Sequence, residues 1–223
     1  MSAAAQALEE IPFAKKLKLA KVGDEDAQVA VAEAYETGTD VQSPDPIEAA
    51  KYYRLAALQG NVEAQYRLAR MVTRGVKGIK QDFSTAAKLY QAAAVKGHAG
   101  AMDALGQLYQ KGQGVPADPA QAVEWYRKAA DLKLANAQNN LGVMYLNGKG
   151  VNRDLTEAFE LFEQAAAQGD HWGLNNLGGM YEMGWGTTKN QAKALEYYRQ
   201  AAAAGNTAAI ENIRRLSPPP VRN

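Results

Sequence analysis

The chain has 223 residues, of which 47% are hydrophobic and 22% charged, the ordinary balance of a folded soluble protein. Its 25 Lys+Arg against 24 Asp+Glu leave a formal charge of +1, which argues against a nucleic-acid binder living on phosphate neutralisation. The lack of cysteine excludes a disulfide framework, a thiolate zinc site and a cysteine nucleophile together.

From the N-terminus, Met1-Ser2-Ala3-Ala4-Ala5 reaches Glu9-Glu10 and Pro12 before the basic cluster Lys15-Lys16-Leu17-Lys18. No apolar run follows that cluster, so the order of a secretory signal is missing. No stretch approaches the ~20 apolar residues of a membrane span. The sequence thus predicts a cytoplasmic protein without a span, or a periplasmic or secreted one if the chain is a trimmed piece of a longer protein. Residues 1–23 read as an N-terminal segment ending in a capping helix, with Pro12 to Gly23 resembling an incomplete second helix of the pattern that follows.

From residue 24 the chain repeats itself. The segment from Ala101, with Leu105-Gly106, Tyr109, Gly112, Gly114 and Val115, returns from Ala137 with Leu141-Gly142, Tyr145, Gly148, Gly150 and Val151. It returns from Gly173 with Leu177-Gly178, Tyr181, Gly184, Gly186 and Thr187. Looser copies start at Ala27 and Ala64 and a partial one at Ala209, so the spacings are 37, 37, 36, 36 and 36 residues. Each unit has a second half in which Tyr52-Tyr53, Leu89-Tyr90, Trp125-Tyr126, Leu161-Phe162 and Tyr197-Tyr198 correspond. Units are placed near 24–60, 61–97, 98–133, 134–169 and 170–205, with a partial unit at 206–216 and a Pro-rich tail at 217–223.

Both halves read as helices. Ala101, Leu105, Leu108 and Tyr109 form one apolar face at helical spacing, and Gly112 is placed to stop the helix. Asp45, Asp82, Asp118, Asp154 and Asn190 cap the second helices. Glu48, Gln121 and Glu157 stand at capping-box spacing, and Pro46 and Pro119 at the first helical position. Gly106, Gly142 and Gly178 sit inside a helix, where glycine costs ~1 kcal/mol relative to alanine. Their recurrence predicts a close helix–helix contact there, with the aromatic pairs filling the space beside it.

The pattern resembles the Sel-one-like repeat (SLR) family, a relative of the tetratricopeptide repeat. The unit at Ala101 carries the family's motif almost throughout, including Asp118, Ala122, Trp125-Tyr126 and Lys128-Ala129-Ala130. The early units depart, with Val31-Ala32 and Leu68-Ala69 for Leu-Gly and Val72 for the tyrosine, and the fifth has Thr187 for valine. The resemblance covers residues 24 to 216. It implies an all-α, right-handed superhelical solenoid of antiparallel helix hairpins, about five units with partial end caps, and a protein- or peptide-binding adaptor, commonly bacterial. Many members are exported and cysteine-rich, and this chain departs on both counts.

In such stacks the first helices line a concave face. Carried over by the Leu-Gly register, the implied positions are Tyr66, Arg70 and Arg74, then Asp103, Gln107 and Lys111. They continue with Asn139, Val143 and Leu146, then Trp172, Asn175, Glu182 and Met183. Trp185, between two glycines where other units carry Gln113, Lys149, Val76 or Thr39, is expected to be more exposed than Trp125. The pairs Asn139-Asn140 and Asn175-Asn176 suit an extended peptide, since an amide donates and accepts at once, or they satisfy neighbouring helices. Arg67, Arg70, Arg74, Lys77 and Lys80 form a basic patch beside Asp26, Glu33 and Glu36, read as inter-repeat ion pairs before an anion site.

Chemistry is sparse. His98 falls at a loop or cap position shared with Asn61, Asp170 and Asn206, and His171 one step later, neither with a carboxylate at an obvious ligand spacing. Ser2, Ser43, Ser84 and Ser217 lie in no nucleophile elbow, and the glycine pairs join helices rather than follow a strand as a phosphate loop would. The sequence predicts no catalytic residue, cofactor or metal, and a protein or peptide partner rather than nucleic acid for a monomer or weak homo-oligomer. A hydrolase, as some family members have been labelled, and a purely structural self-assembling subunit are the alternatives.

Overall fold

Side-chain caps at one end and left-handed stops at the other cut this chain into helices of about three turns. The structure, a computed structural model describing residues 11–217, has twelve α-helices and no strand among those residues. They are α1 (Phe13–Lys21), α2 (Glu25–Thr37), α3 (Pro46–Gln59), α4 (Val62–Arg74), α5 (Phe83–Ala94) and α6 (Ala99–Lys111). The second half holds α7 (Pro119–Asp131), α8 (Ala135–Asn147), α9 (Leu155–Ala167), α10 (His171–Met183), α11 (Gln191–Ala203) and α12 (Thr207–Leu216). The helices fall into two compact units, Met1–Ala117 and Asp118–Asn223. The tail after Ser217 lies outside the described residues.

The second helices start as the sequence predicts. Asp45 accepts from the backbone N–H groups of Ile47 and Glu48, Asp118 from Ala120 and Gln121, Asp154 from Thr156 and Glu157, Asp82 from Thr85, and Asn190 from Lys193. Each such cap is worth about 1 kcal/mol. The capping-box expectation needs correction for Asp45 and Asp154. Their backbone N–H groups donate to the carbonyls of Tyr35 and Tyr145, at 2.8 and 3.1 Å, so no donor is left for Glu48 or Glu157 to reach back to. The same bond joins Asp82 to Val72 and Asn190 to Tyr181, at 3.1 and 2.8 Å. This bond from second-helix cap to first-helix carbonyl fixes the hairpin, and Glu48 instead pairs with Lys51.

Glycine is required at two places in the turns that follow α6, α8 and α10. Gly112, Gly148 and Gly184 take φ of 68, 61 and 72°, the left-handed stop. Two residues on, a Cβ on Gly114, Gly150 or Gly186 would collide with the carbonyl of Phe83, Pro119 or Leu155, the first residue of the preceding second helix. The turn therefore rests directly on that helix.

Unit 1 builds its core from Val31, Ala32, Tyr53, Leu68, Tyr90 and Leu105, all nearly inaccessible. Helix α1 closes its start. Phe13 packs edge-on against Tyr35, the Ala20 carbonyl takes the Gln28 amide, and the buried Lys16 stem reaches Asp40. In unit 2, Phe162, Leu177, Met180 and Tyr198 form the centre of the core, and burying one such side chain contributes about 1.5–3 kcal/mol. Gly142 and Gly178 mark close contacts. A Cβ on Gly142 would lie 2.7 Å from the Phe162 ring, and one on Gly178 2.8 Å from the Tyr198 ring. The aromatic residues pack helix on helix, with Tyr35 stacked on Tyr52 and Tyr181 on Tyr197 in equivalent positions.

Candidate functional site: the first-helix face

The first helices of each unit are stitched to one another by polar side chains at fixed register. In unit 1 the stitch is ionic: Arg67 on α4 lies 3.7 Å from Glu33 and 3.5 Å from Glu36 on α2, and bonds Glu63 on its own helix. In unit 2 it is neutral. Asn176 donates to Asn139 at 2.8 Å and Asn212 to Asn175 at 3.1 Å. In two hairpins a second layer joins the first helix to its own second helix, α2 to α3 and α10 to α11. The Tyr53 hydroxyl donates to Glu36 and that of Tyr198 to Glu182, and Arg215 closes on Glu182 with two N–H groups.

These trios are electrostatically locked. Arg215, and then Tyr198, hold the Glu182 carboxyl below the usual carboxylate range against the effect of burial. Burial, and then the Glu182 bond, raise the Tyr198 phenol, and Tyr53 is raised likewise by burial and Glu36. Glu182 therefore stays ionised and Tyr198 neutral around neutrality, the opposite of a poised acid–base pair. Where the repeat has Phe162, the position equivalent to Glu182 is Leu146, so hydroxyl and acceptor disappear together.

His98 is built into the contact between first helices. The Nδ1 of His98 accepts from the Ala101 N–H as the cap of α6, its Nε2 lies 3.2 Å from Glu63, and its ring is 4.2 Å from that of Tyr66. The hydrogen bond from His98, with help from Arg67, holds Glu63 at about 2. The sequence reading missed Glu63, whose signal was an acid in the first turn of the preceding first helix. Asn61 reaches Glu25 in the same way. The other histidine, His171, lies beside Trp172 with ring centroids 5.0 Å apart and Nδ1 buried. Among the described residues no group of three or more His, Cys, Asp or Glu is arranged to hold a metal ion, and no helix is long and apolar enough to cross a membrane.

The fourteen positions named from sequence divide by what they touch. Asn139, Asn175 and Glu182 are engaged within the protein as above, and the buried Asp103 accepts from Gln107 at 2.9 Å. Val143 and Leu146 are half-buried against the unit 2 core. Arg70 lies over the Tyr66 ring, 5.6 Å from its centroid, so Arg67 rather than Arg70 takes the inter-repeat ion pairs of the basic patch. Arg74 and Lys111 are exposed. Trp172 and Met183 are 50% and 52% exposed, and Trp185 39% against 8% for Trp125, as its place between glycines predicts. The Arg153 guanidinium lies 5.9 Å from the Trp185 ring centre.

The family model described as Sel1 repeat matches residues 25–61, 62–98, 99–134, 135–170 and 173–206. Among solved structures, the chain is similar to c5321, a protective antigen of uropathogenic Escherichia coli strains displaying an SLR fold, at 33% identity and a TM-score of 0.85. That match covers 93% of this chain and 44% of the antigen, so this chain spans less than half of it. A Sel1 repeat protein from Oxalobacter formigenes is similar at 27% identity and a TM-score of 0.81, covering 91% of this chain and 86% of its own. The immunity protein PA5088 from Pseudomonas aeruginosa follows at 25% identity, a TM-score of 0.53 and coverage of 83% and 66%. No curated protein matches the chain.

Proposed function

Since the chain belongs to the Sel1 repeat family, we propose that it is a scaffold whose first-helix face binds a protein or peptide partner. One observation carries this reading. Trp172 and Met183 stand half-exposed on α10, and eleven residues (183 − 172) at 100° each bring them within about 20° of the same side of the helix. Exposed tryptophan is costly in water and is enriched among binding hot spots. The locked Tyr198–Glu182–Arg215 trio beside them favours a binding role over a catalytic one.

The test is affinity capture with mass spectrometry, comparing wild type, Trp172→Ala with Met183→Ala, and the control Glu160→Ala on α9. Asn175 is left intact because it accepts from Asn212. The expected result is a partner held by wild type and control and lost by the double variant, with the helical circular dichroism unchanged. Equal capture by all three would move the site away from α10.

A further inference from the structure

Unit 1 separates its charges. Its ion pairs engage Lys16, Lys51, Arg67 and His98. Arg70 and Arg74 on α4, Lys77 and Lys80 in the loop after it, and Lys111 at the end of α6 stand outside these pairs among the described residues. Arg70, Arg74 and Lys111 occupy the inner positions of the repeat. The acidic end of the same face, Glu33, Glu36 and Glu63, is already gathered around Arg67.

A last-turn cation interacts favourably with its own helix terminus. That accounts for Arg74 and Lys111 but not for Arg70, Lys77 or Lys80. Arg70 is also the most oriented of the five. Its guanidinium lies over Tyr66, whose ring is held by His98 at 4.2 Å and faces Tyr90 at 6.1 Å. A guanidinium fixed on an aromatic ring is a planar, permanently charged fork, and its best partner is a carboxylate taken with two parallel hydrogen bonds. The buried carboxylate of Asp103, at the inner face, is already bonded to Gln107.

We propose that this part of unit 1 binds an acidic peptide segment, with its glutamate or aspartate side chains against Arg70, Arg74 and Lys111. The proposal rests on the reading of the first-helix face as a peptide-binding surface, and it names the chemistry of the ligand there. A nucleic acid is disfavoured by the neighbouring carboxylates Glu33, Glu36 and Glu63, which would repel a continuous phosphate backbone. A short acidic segment meets the cations alone.

The probe is a fluorescein-labelled peptide of alternating glutamate and glycine with both termini blocked, so that no free carboxyl terminus contributes. Binding is read by anisotropy for the full chain at low and at physiological salt. A glutamine-for-glutamate peptide and labelled polyuridylate serve as comparison ligands. The variants are Arg70→Glu with Arg74→Glu, Lys111→Glu alone, and the control Arg54→Glu, which reverses an exposed charge on α3. The expected result is saturable, salt-sensitive binding of the glutamate peptide, weakened about tenfold or more by the double reversal, as when several exposed ion pairs are inverted together. Lys111→Glu weakens it less, and Arg54→Glu leaves it near wild type. Equal binding of the glutamine peptide, untouched by reversal, would overturn the acidic class while leaving peptide binding intact. Failure of the wild type to bind the glutamate peptide at low salt, tighter capture of polyuridylate, or an equal loss in Arg54→Glu would each overturn the proposal.

Discussion

Two adjacent glycines in α10 should respond to alanine with opposite signs. A Cβ on Gly178 would lie 2.8 Å from both Cδ1 and Cε1 of Tyr198 and 3.2 Å from the Ala194 carbonyl oxygen. The Tyr198 ring is buried and its hydroxyl is tied to Glu182, so it cannot turn aside and the helices must part by a few tenths of an ångström. Overpacking of this kind costs about 1–3 kcal/mol, and relief from glycine in a helix returns about 1 kcal/mol. The net expectation for Gly178→Ala is a loss of about 0–2 kcal/mol. The low end is realistic because Ala32 and Ala69 fill the same register in unit 1, fully buried. A Cβ on Gly179 would meet only the Tyr198 hydroxyl at 3.6 Å, an ordinary contact, and Val143 stands at the same register one repeat earlier. Gly179→Ala should therefore stabilise by up to about 1 kcal/mol. Urea unfolding followed by circular dichroism separates the two, with midpoints moving to opposite sides of wild type. Indistinguishable midpoints, or a gain from Gly178→Ala, would refute the account of close helix contact.

Four further outcomes follow from the geometry. Gly142→Leu, driven into the buried Phe162 ring, should destabilise by about 1–3 kcal/mol or more in the same urea assay. Gly148→Ala, at φ 61° and 3.2 Å from the Arg153 Cβ, should lose about 1–2 kcal/mol. Lys133→Gly should gain, since Lys133 holds φ 63° where Gly60, Gly97, Gly169 and Gly205 stand in other units; differential scanning calorimetry would register both shifts. Glu63 titrates at about 2 in the folded state, chiefly through His98 and then Arg67, so its contribution is present above the ordinary carboxylate range and is lost as pH falls towards 2. The stability gap between wild type and Glu63→Gln should accordingly narrow as pH falls from the ordinary carboxylate range towards 2, and a gap that widens across that window would contradict the sign.

Caps, stops and small-residue contacts were legible because each is a local rule repeated five times. Gly142 and Gly178 stand at the same register, and both meet a ring. The capping boxes at Asp45 and Asp154 were misread because the competing partner, the carbonyl of Tyr35 or Tyr145, is supplied by another helix and leaves no mark in the spacing. The inner-face positions came from the family resemblance alone, and what occupies them leaves no mark within one repeat. For Asn139 and Asn175 the sequence offers two readings, a peptide contact or a bond to a neighbouring helix, and the second holds, with Asn176 and Asn212 as donors. Glu182 looks free within one repeat, and only comparison across repeats reveals that Arg215 takes it. The same comparison would have separated Arg67, which faces Glu33 and Glu36 in the preceding repeat, from Arg70, which makes no ion pair among the described residues.

The asparagine stitches of unit 2 each reach back one repeat. Asn176 finds its acceptor 37 residues earlier, in Asn139, and Asn212 finds its own at the same distance, in Asn175. Excision of the 36 residues from Asn140 to Asn175 would join Asn139 to Asn176 and present Asn212 with Asn139, an acceptor identical to the one removed. A gene carrying such a pattern can lengthen or shorten by whole periods without learning any new contact. Slippage by a fraction of a period would strand the amides opposite the wrong neighbours, so these stitches make the array digital in length: it tolerates change by whole words and not by letters.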